Sequence, residues 1–223
     1  HGKVAADIAR LKGYDNIVFY DDDLSKNDFG SFEVIHHFPD EEYDLFIAIG
    51  DNETREKISL RFDKIINLIH PNAVIGQDVV LGKGVIVMAN AVINPGAKIG
   101  DGTIINTCAS IDHDNVIGEY NHFSVGSHSA GTVKTGKRVF VGIGASIINN
   151  ISLCDDVLIG AGAVVIHENK IKSNDDGKKI KLSNNPNDYR RLIKEDVAIL
   201  KKESKINNDG NSLNEEKANE KYS

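Results

Sequence analysis

IGQDVV LGKGVI VMANAV INPGAK IGDGTI INTCAS IDHDNV, residues 75–116, is one pattern written seven times with a period of six. The beat extends from Ile69 to Val165, and fifteen of its seventeen positions are aliphatic or aromatic. Glycine often follows directly, at 76, 82, 100, 118, 136, 142 and 160, and a small or branched residue stands four places on, as at Ala73, Val79, Ala91 and Ala109. A period of six fits neither the 3.6 of a helix nor the 2 of a lone strand, but it suits a three-sided solenoid of short strands and tight corners. Each corner then needs one inward aliphatic, with glycine beside it for a positive φ or a close approach. At three hexads per coil, the beat makes between five and six coils, stacked about 4.8 Å apart as parallel strands. Alternating strands and helices would need a helical stretch between 69 and 165, and none interrupts it. Ser129 and Thr135 are the two polar exceptions, which call for a functional reason. Val125 would replace Phe123 on the beat if the coil slips there.

The residues before the beat alternate differently. VAADIARLK, residues 4–12, predicts a helix ended by Gly13, followed by a strand at Ile17–Tyr20 and the acids Asp21, Asp22 and Asp23. A second strand is expected at Leu45–Ile49, a helix at about 53–62 and a third strand at Ile65–Ile69. This order predicts a small Rossmann-like α/β domain, whose ligands would lie beyond the strand ends at Asp21–Asp23 and Gly50–Asn52; a solvated turn is the rival account of the three acids. After Val165 the beat fades, and residues 187–204 predict an amphipathic helix with Tyr189, Ile193, Val197 and Leu200 on one face. The expected division is thus 1–68 for the α/β domain, 69–170 for the solenoid, 171–204 for a C-terminal extension and 205–223 for a disordered tail poor in apolar residues.

Composition narrows the functional classes. The 223 residues are 40% hydrophobic, 26% charged and 6% aromatic with no Trp, so small aliphatics must do most of the packing. A net charge of −7 and the lack of any basic cluster alternating with aromatics argue against nucleic acid as a partner. Cys108 and Cys154 have no metal spacing and suit a reducing compartment. No apolar run reaches the roughly 18 residues of a membrane span, and no signal peptide opens the chain, so a cytoplasmic protein without membrane insertion is expected. Because His1 stands directly before a helical pattern, an upstream strand is expected to be absent from the sequence.

Three histidines fall near the polar exceptions: His113 in IDHDNVIG, then His122 and His128 in NHFSVGSH. Histidine is the natural base at neutral pH. Asp112 and Asp114 flank His113, and a carboxylate that orients an imidazole also raises its basicity. The spacing of His122 and His128 completes no zinc ligand set, and no metal is expected. Neither cysteine accompanies a His-acid pair, which argues against a covalent Cys intermediate.

Together, the α/β segment, the acids at 21–23, FIAIGDN (46–52), IINLIHPNA (65–73) and IDHDNVIGEYNHFSVG (111–126) resemble the NeuD/PglD sugar acetyltransferase family of the hexapeptide-repeat superfamily, over roughly residues 1–165. The resemblance implies a left-handed parallel β-helix, a homotrimer, acetyl-CoA in the groove between neighbouring β-helices and a nucleotide-linked sugar on the N-terminal domain. It also implies that His113 is the general base, Asp114 its orienter and Asn106 a residue that helps position the acceptor. His122, Gly131, Ile143 and Ala161 would meet acetyl-CoA, and His1, Asp21, Asp22 and Asn52 would surround the nucleotide. The family's first strand and Gly-rich turn would precede His1, and its Gly-x-Pro-Ala ending is echoed only by SNNP, residues 183–186. The expected reaction is direct acetyl transfer to the 4-amino group of a UDP-linked deoxy-sugar in glycan biosynthesis. O-acetylation of sialic acid is the alternative within the class; a silent trimeric scaffold and a zinc hydratase are the alternatives outside it.

Overall fold

Hydrogen bonding along the beat joins each residue to the one eighteen positions later. Leu68 pairs with Ile86, Ile86 with Ile104, Ile104 with His122, His122 with Phe140 and Phe140 with Leu158, all in parallel register. Eighteen residues are three hexads, so the computed structural model, which describes residues 1–21, 24–25, 28–38, 43–166 and 180–182, contains the expected three-sided parallel β-helix. Seventeen short strands, from Leu68–Ile69 to Val164–Val165, stack into three sheets, and Ile180–Leu182 adds a further parallel strand beside Val157–Ile159. The beat residue, second in each two-residue strand and third in Val157–Ile159, points inward: Ile93, Ile105, Ile111, Phe123 and Val141 are fully buried in one continuous core. Phe123 holds its place while Val125 is exposed, so the coil does not slip.

The glycines that follow the beat serve close approach. A Cβ on Gly76 would lie 2.6 Å from Pro95 N, and one on Gly100 2.6 Å from the Gly118 carbonyl carbon, in each case on the adjoining coil. The left-handed corner residue comes two places later, at every sixth position from Asp78 to Gly162. Asp114, at φ 58°, is one of them, so the corner geometry turns the backbone sharply beside His113.

Helix α1, Gly2–Leu11, ends at Lys12 and Gly13 as expected. Its Ala5, Ile8 and Ala9 pack on Leu68, Ile86 and Ile104, the outward residues of one solenoid sheet, while Ala6 packs with Phe19, Phe32 and Val34 on the other side. Strand β1 is confined to Phe19–Tyr20. It pairs in parallel with β3, Phe32–Ile35, which forms a hairpin with β2, Asp28–Phe29, around Gly30 and Ser31. Leu45–Ile49 is buried but has no ladder partner among the described residues, so the expected second strand is an extended apolar segment. Helix α2, Asn52–Ser59, is capped by the Asp51 side chain, which accepts from Thr54 N, and stops short of the expected residue 62. The expected third strand shrinks to Leu68–Ile69 and is the first strand of the solenoid. Asp22, Asp23, the helix expected at 187–204, the SNNP echo and the tail at 205–223 lie outside the described residues.

Candidate active site

Two groups of polar side chains contain most of the expected site residues. The first stands on a solenoid corner. His113 Nδ1 is 2.9 Å from Asp114 Oδ2, and both side chains are exposed, at 58% and 65%. The His113 backbone N–H donates to Asp112 Oδ1 at 2.8 Å, and Asn94 Nδ2 donates to the same oxygen at 2.7 Å. These two bonds, from Asn94 first, hold the Asp112 carboxyl below its ordinary value. The hydrogen bond to Asp114, aided by both carboxylate charges, raises the His113 pKa above its ordinary value. With the Nδ1 proton directed to Asp114, Nε2 carries a free lone pair, the form a general base requires.

Two glycines make room for this pair. A Cβ on Gly131, one coil along, would lie 2.5 Å from His113 Nε2, and one on Gly96 would lie 2.6 Å from Asp114 Oδ1. Gly131, expected among the acetyl-CoA contacts, therefore stacks against the imidazole.

The second group lies where the N-terminal residues cover the solenoid. His122 is 4% exposed. Its Nε2 is 3.1 Å from Asn106 Nδ2 and its Nδ1 is 3.3 Å from the Gly50 carbonyl. If the amide of Asn106 donates to Nε2, the ring proton is on Nδ1, directed at Gly50. Burial, with the Arg55 charge second, pushes the His122 pKa down to about 3, so the ring is neutral. His1 and Phe140 each meet it edge-on, with ring centroids 5.0 Å away. Asn106 Oδ1 accepts from Thr107 N at 2.8 Å, so the hydrogen bonds of Asn106 run to His122 and Thr107 rather than to His113. Asn52 Nδ2 donates to the carbonyls of Arg138 and Val139, and its Oδ1 accepts from Arg55. Asp21 is buried; its backbone N–H donates to Ile35 and its carbonyl bonds His36 Nδ1 at 2.7 Å. Asp22 is outside the described residues.

Arg55 organises this seam and was not singled out by the sequence. It is 1% exposed, and burial lowers its pKa to about 9, so it remains charged at neutral pH. Its guanidinium donates to the carbonyls of Ile49 and Gly50 within its own segment and to those of Gly102, Tyr120 and Asn121 on the solenoid.

Ile143 and Ala161 occupy a different corner from His113, one face of the prism away. They stand one above the other, exposed, each followed by a left-handed glycine, Gly144 or Gly162, around which a Cβ would meet nothing within 4 Å. Among the described residues there is no group of three or more His, Cys, Asp or Glu that could hold a metal, and no helix long and apolar enough to cross a membrane.

Comparison with known proteins adds an independent line. Residues 1–62 match the PglD N-terminal domain family, and residues 78–113 match the bacterial transferase hexapeptide family of six repeats. GDP-perosamine N-acetyltransferase of Escherichia coli O157:H7 is 28% identical over 155 residues, covering 66% of this chain and 70% of that protein. UDP-N-acetylbacillosamine N-acetyltransferase of Bacillus subtilis strain 168 is 39% identical over a shorter span of 49 residues, 20% of this chain and 23% of that one. The acetyltransferase domain of PglB from Neisseria gonorrhoeae FA1090, solved in complex with acetyl coenzyme A, superposes with a TM-score of 0.67 at 31% identity, covering 74% of this chain and 88% of that one. A PglD-type N-terminal region leading into a hexapeptide solenoid, matched along most of an acetyltransferase domain, places this chain in the NeuD/PglD family of hexapeptide-repeat sugar acetyltransferases.

Proposed function

We propose that this protein transfers the acetyl group of acetyl-CoA to the amino group of a nucleotide-linked amino sugar, with His113 as general base. The observation that carries the reading is the exposed His113 imidazole, bonded through Nδ1 to Asp114 and leaving Nε2 free. His113 Nε2 removes a proton from the acceptor nitrogen as that nitrogen attacks the thioester carbonyl. The C–N bond forms, the C–S bond breaks, and the proton held by His113 passes to the departing CoA sulfur. Backbone N–H groups stabilise the oxyanion of the tetrahedral intermediate.

The bare corner at Ile143 and Ala161 suits a thin, partly apolar chain such as the CoA arm. It lies one prism face from His113, so the two meet most simply when the corner of one copy faces the other corner of a second. A homotrimer with its sites between subunits satisfies that requirement. Residues 1–68 would then carry the nucleotide end of the acceptor near His1, Asp21, Asp22 and Asn52, residues 69–170 the chemistry, and the seam residues His122 and Asn106 would brace the region where sugar and acetyl group meet. A cytoplasmic location fits the supply of acetyl-CoA. The curated relatives carry both GDP- and UDP-linked names, so the base of the nucleotide is a matter for the assay.

The test is thiol release from acetyl-CoA with a panel of GDP- and UDP-linked amino sugars and sialic acids. Acceptor-dependent release with an amino sugar is expected, falling by about 10² to 10⁴ in His113→Ala. Release with sialic acid alone would assign O-acetylation. No release with any acceptor would leave a scaffold.

A further inference from the structure

The two polar residues that interrupt the apolar beat have a structural explanation, and one of them leads to the active site. Ser129 is 2% exposed, and its Oγ donates to Asn115 Oδ1 at 2.7 Å. Asn115 is fully buried, and its Nδ2 donates to the carbonyl of Asp112 at 2.7 Å and to that of Ala130 at 2.9 Å. Those carbonyls belong to the residues directly before His113 and Gly131. The buried amide thus ties together the corner that carries the imidazole and the corner glycine on which the imidazole rests. From inside the prism it fixes the height of one against the other.

We propose that Asn115 and Ser129 are positioning residues for His113, a buried clamp that holds the imidazole against Gly131 and within reach of Asp114. The inference rests on the reading of His113 as the base, and the fold supplies its own control. Fourteen residues separate Asn115 from Ser129, and fourteen separate Asn121 from Thr135. Asn121 Nδ2 donates to the carbonyls of Gly118 and Gly136 and to Thr135 Oγ1, a corresponding clamp one corner further on in which the hydroxyl accepts rather than donates. That corner carries an exposed ion pair, Glu119 with Lys137 at 2.7 Å, in place of a histidine. Replacing Ser129 by alanine removes the hydroxyl that donates to the buried Asn115 Oδ1, a cost of about 1–3 kcal/mol, whereas Thr135→Ala removes an acceptor of Asn121 Nδ2 and of the Gly118 N–H while Asn121 keeps Gly118, Gly136 and Val139 as partners. Only the Asn115–Ser129 clamp touches the turn of His113.

The experiment compares Ser129→Ala with Thr135→Ala by NMR titration of the His113 imidazole and by thiol release. In wild type the hydrogen bond to Asp114, aided by the charges of Asp112 and Asp114 that face the ring, holds the imidazole pKa above its ordinary value. Ser129→Ala is expected to bring that midpoint back toward about 6.5 and to lower kcat by about ten- to a hundredfold, the usual effect of a misplaced reacting group. Thr135→Ala, which also removes a buried hydroxyl from the beat, is expected to lower the melting temperature while leaving both readouts within about twofold of wild type. Ser129→Thr keeps the hydroxyl and restores the titration. Ser129→Cys fills the same space with a weak donor and supports the comparison if the alanine variant does not fold. Equal titration and equal kcat in the two alanine variants would overturn the proposal. If wild type transfers no acetyl group, the functional reading fails while the titration still decides the clamp.

Discussion

His113 accepts a proton only while Nε2 is bare, so its raised pKa places the loss of activity on the acid side. The rate, as kcat/KM, should fall with decreasing pH through a midpoint above the ordinary histidine value of about 6.5. In Asp114→Asn the largest cause of the raised pKa is removed, and the midpoint should move down while the plateau rate drops. A midpoint unmoved by Asp114→Asn would detach the carboxylate from the base. Gly131 offers a steric counterpart to this electrostatic test. Its φ is not left-handed, so alanine suits the backbone, yet the new Cβ would come within 2.5 Å of His113 Nε2. We expect Gly131→Ala to lower kcat at least tenfold with the KM for acetyl-CoA little changed. A rise in that KM with kcat preserved would instead return Gly131 to the acetyl-CoA contacts.

At the scale of elements, Arg55 is the buried side chain that, with Asn52 and the Glu56–Arg138 ion pair, joins α2 to the solenoid. Removing it leaves the carbonyls of Gly102 and Tyr120 without their donor in a buried seam, while that of Asn121 keeps the Ile104 N–H. Each orphaned group costs roughly 1–3 kcal/mol, so Arg55→Met should lose about 3 kcal/mol in denaturant unfolding despite its comparable volume. Arg55→Lys should recover little, since an ammonium cannot present the guanidinium fork. If Arg55→Met unfolds at the wild-type midpoint, the seam is held elsewhere. Nothing in NETREKIS, residues 52–59, announced this role, because its charges read as a solvated helix and the solenoid partners of Arg55 lie 47 to 66 residues away. The coils were legible for the opposite reason: every corner repeats the same local requirement, so the six-residue beat states the fold many times over. His113 and Asp114 were legible as sequence neighbours, but neighbours can point to opposite faces, and it is the structure that brings their side chains together. Leu45–Ile49 was read as a strand because it is apolar, whereas a strand is defined by a ladder partner. The hairpin at 28–35 escaped because its only signal was a Gly-Ser pair between short runs.

Across the whole molecule, the two central histidines respond to acid in opposite ways. The folded-state pKa of His113 is raised, so its contribution favours the folded chain below the unfolded value and fades as pH rises; being exposed, it has little weight. For His122 the folded-state pKa is depressed to about 3 by burial at the seam. Between that value and the unfolded value near 6.5 the unfolded chain binds a proton that the folded chain refuses, so stability falls as pH drops through this window. At pH 5 the loss amounts to about 2 kcal/mol, taking 1.36 kcal/mol for each pH unit below the unfolded value. The affected contacts are those that fix the N-terminal residues on the solenoid: His122 with Gly50, Asn106 and the ring of His1. Melting temperature measured from pH 7.5 to pH 5 should therefore decline steeply in wild type and less steeply in His122→Asn, which has nothing to titrate. Parallel slopes in the two proteins would mean that carboxylates elsewhere set the acid sensitivity. A flatter slope in the variant would mean that the protonation of one buried imidazole loosens the hold of the N-terminal residues on the solenoid, and with it the surface on which the acceptor is proposed to bind.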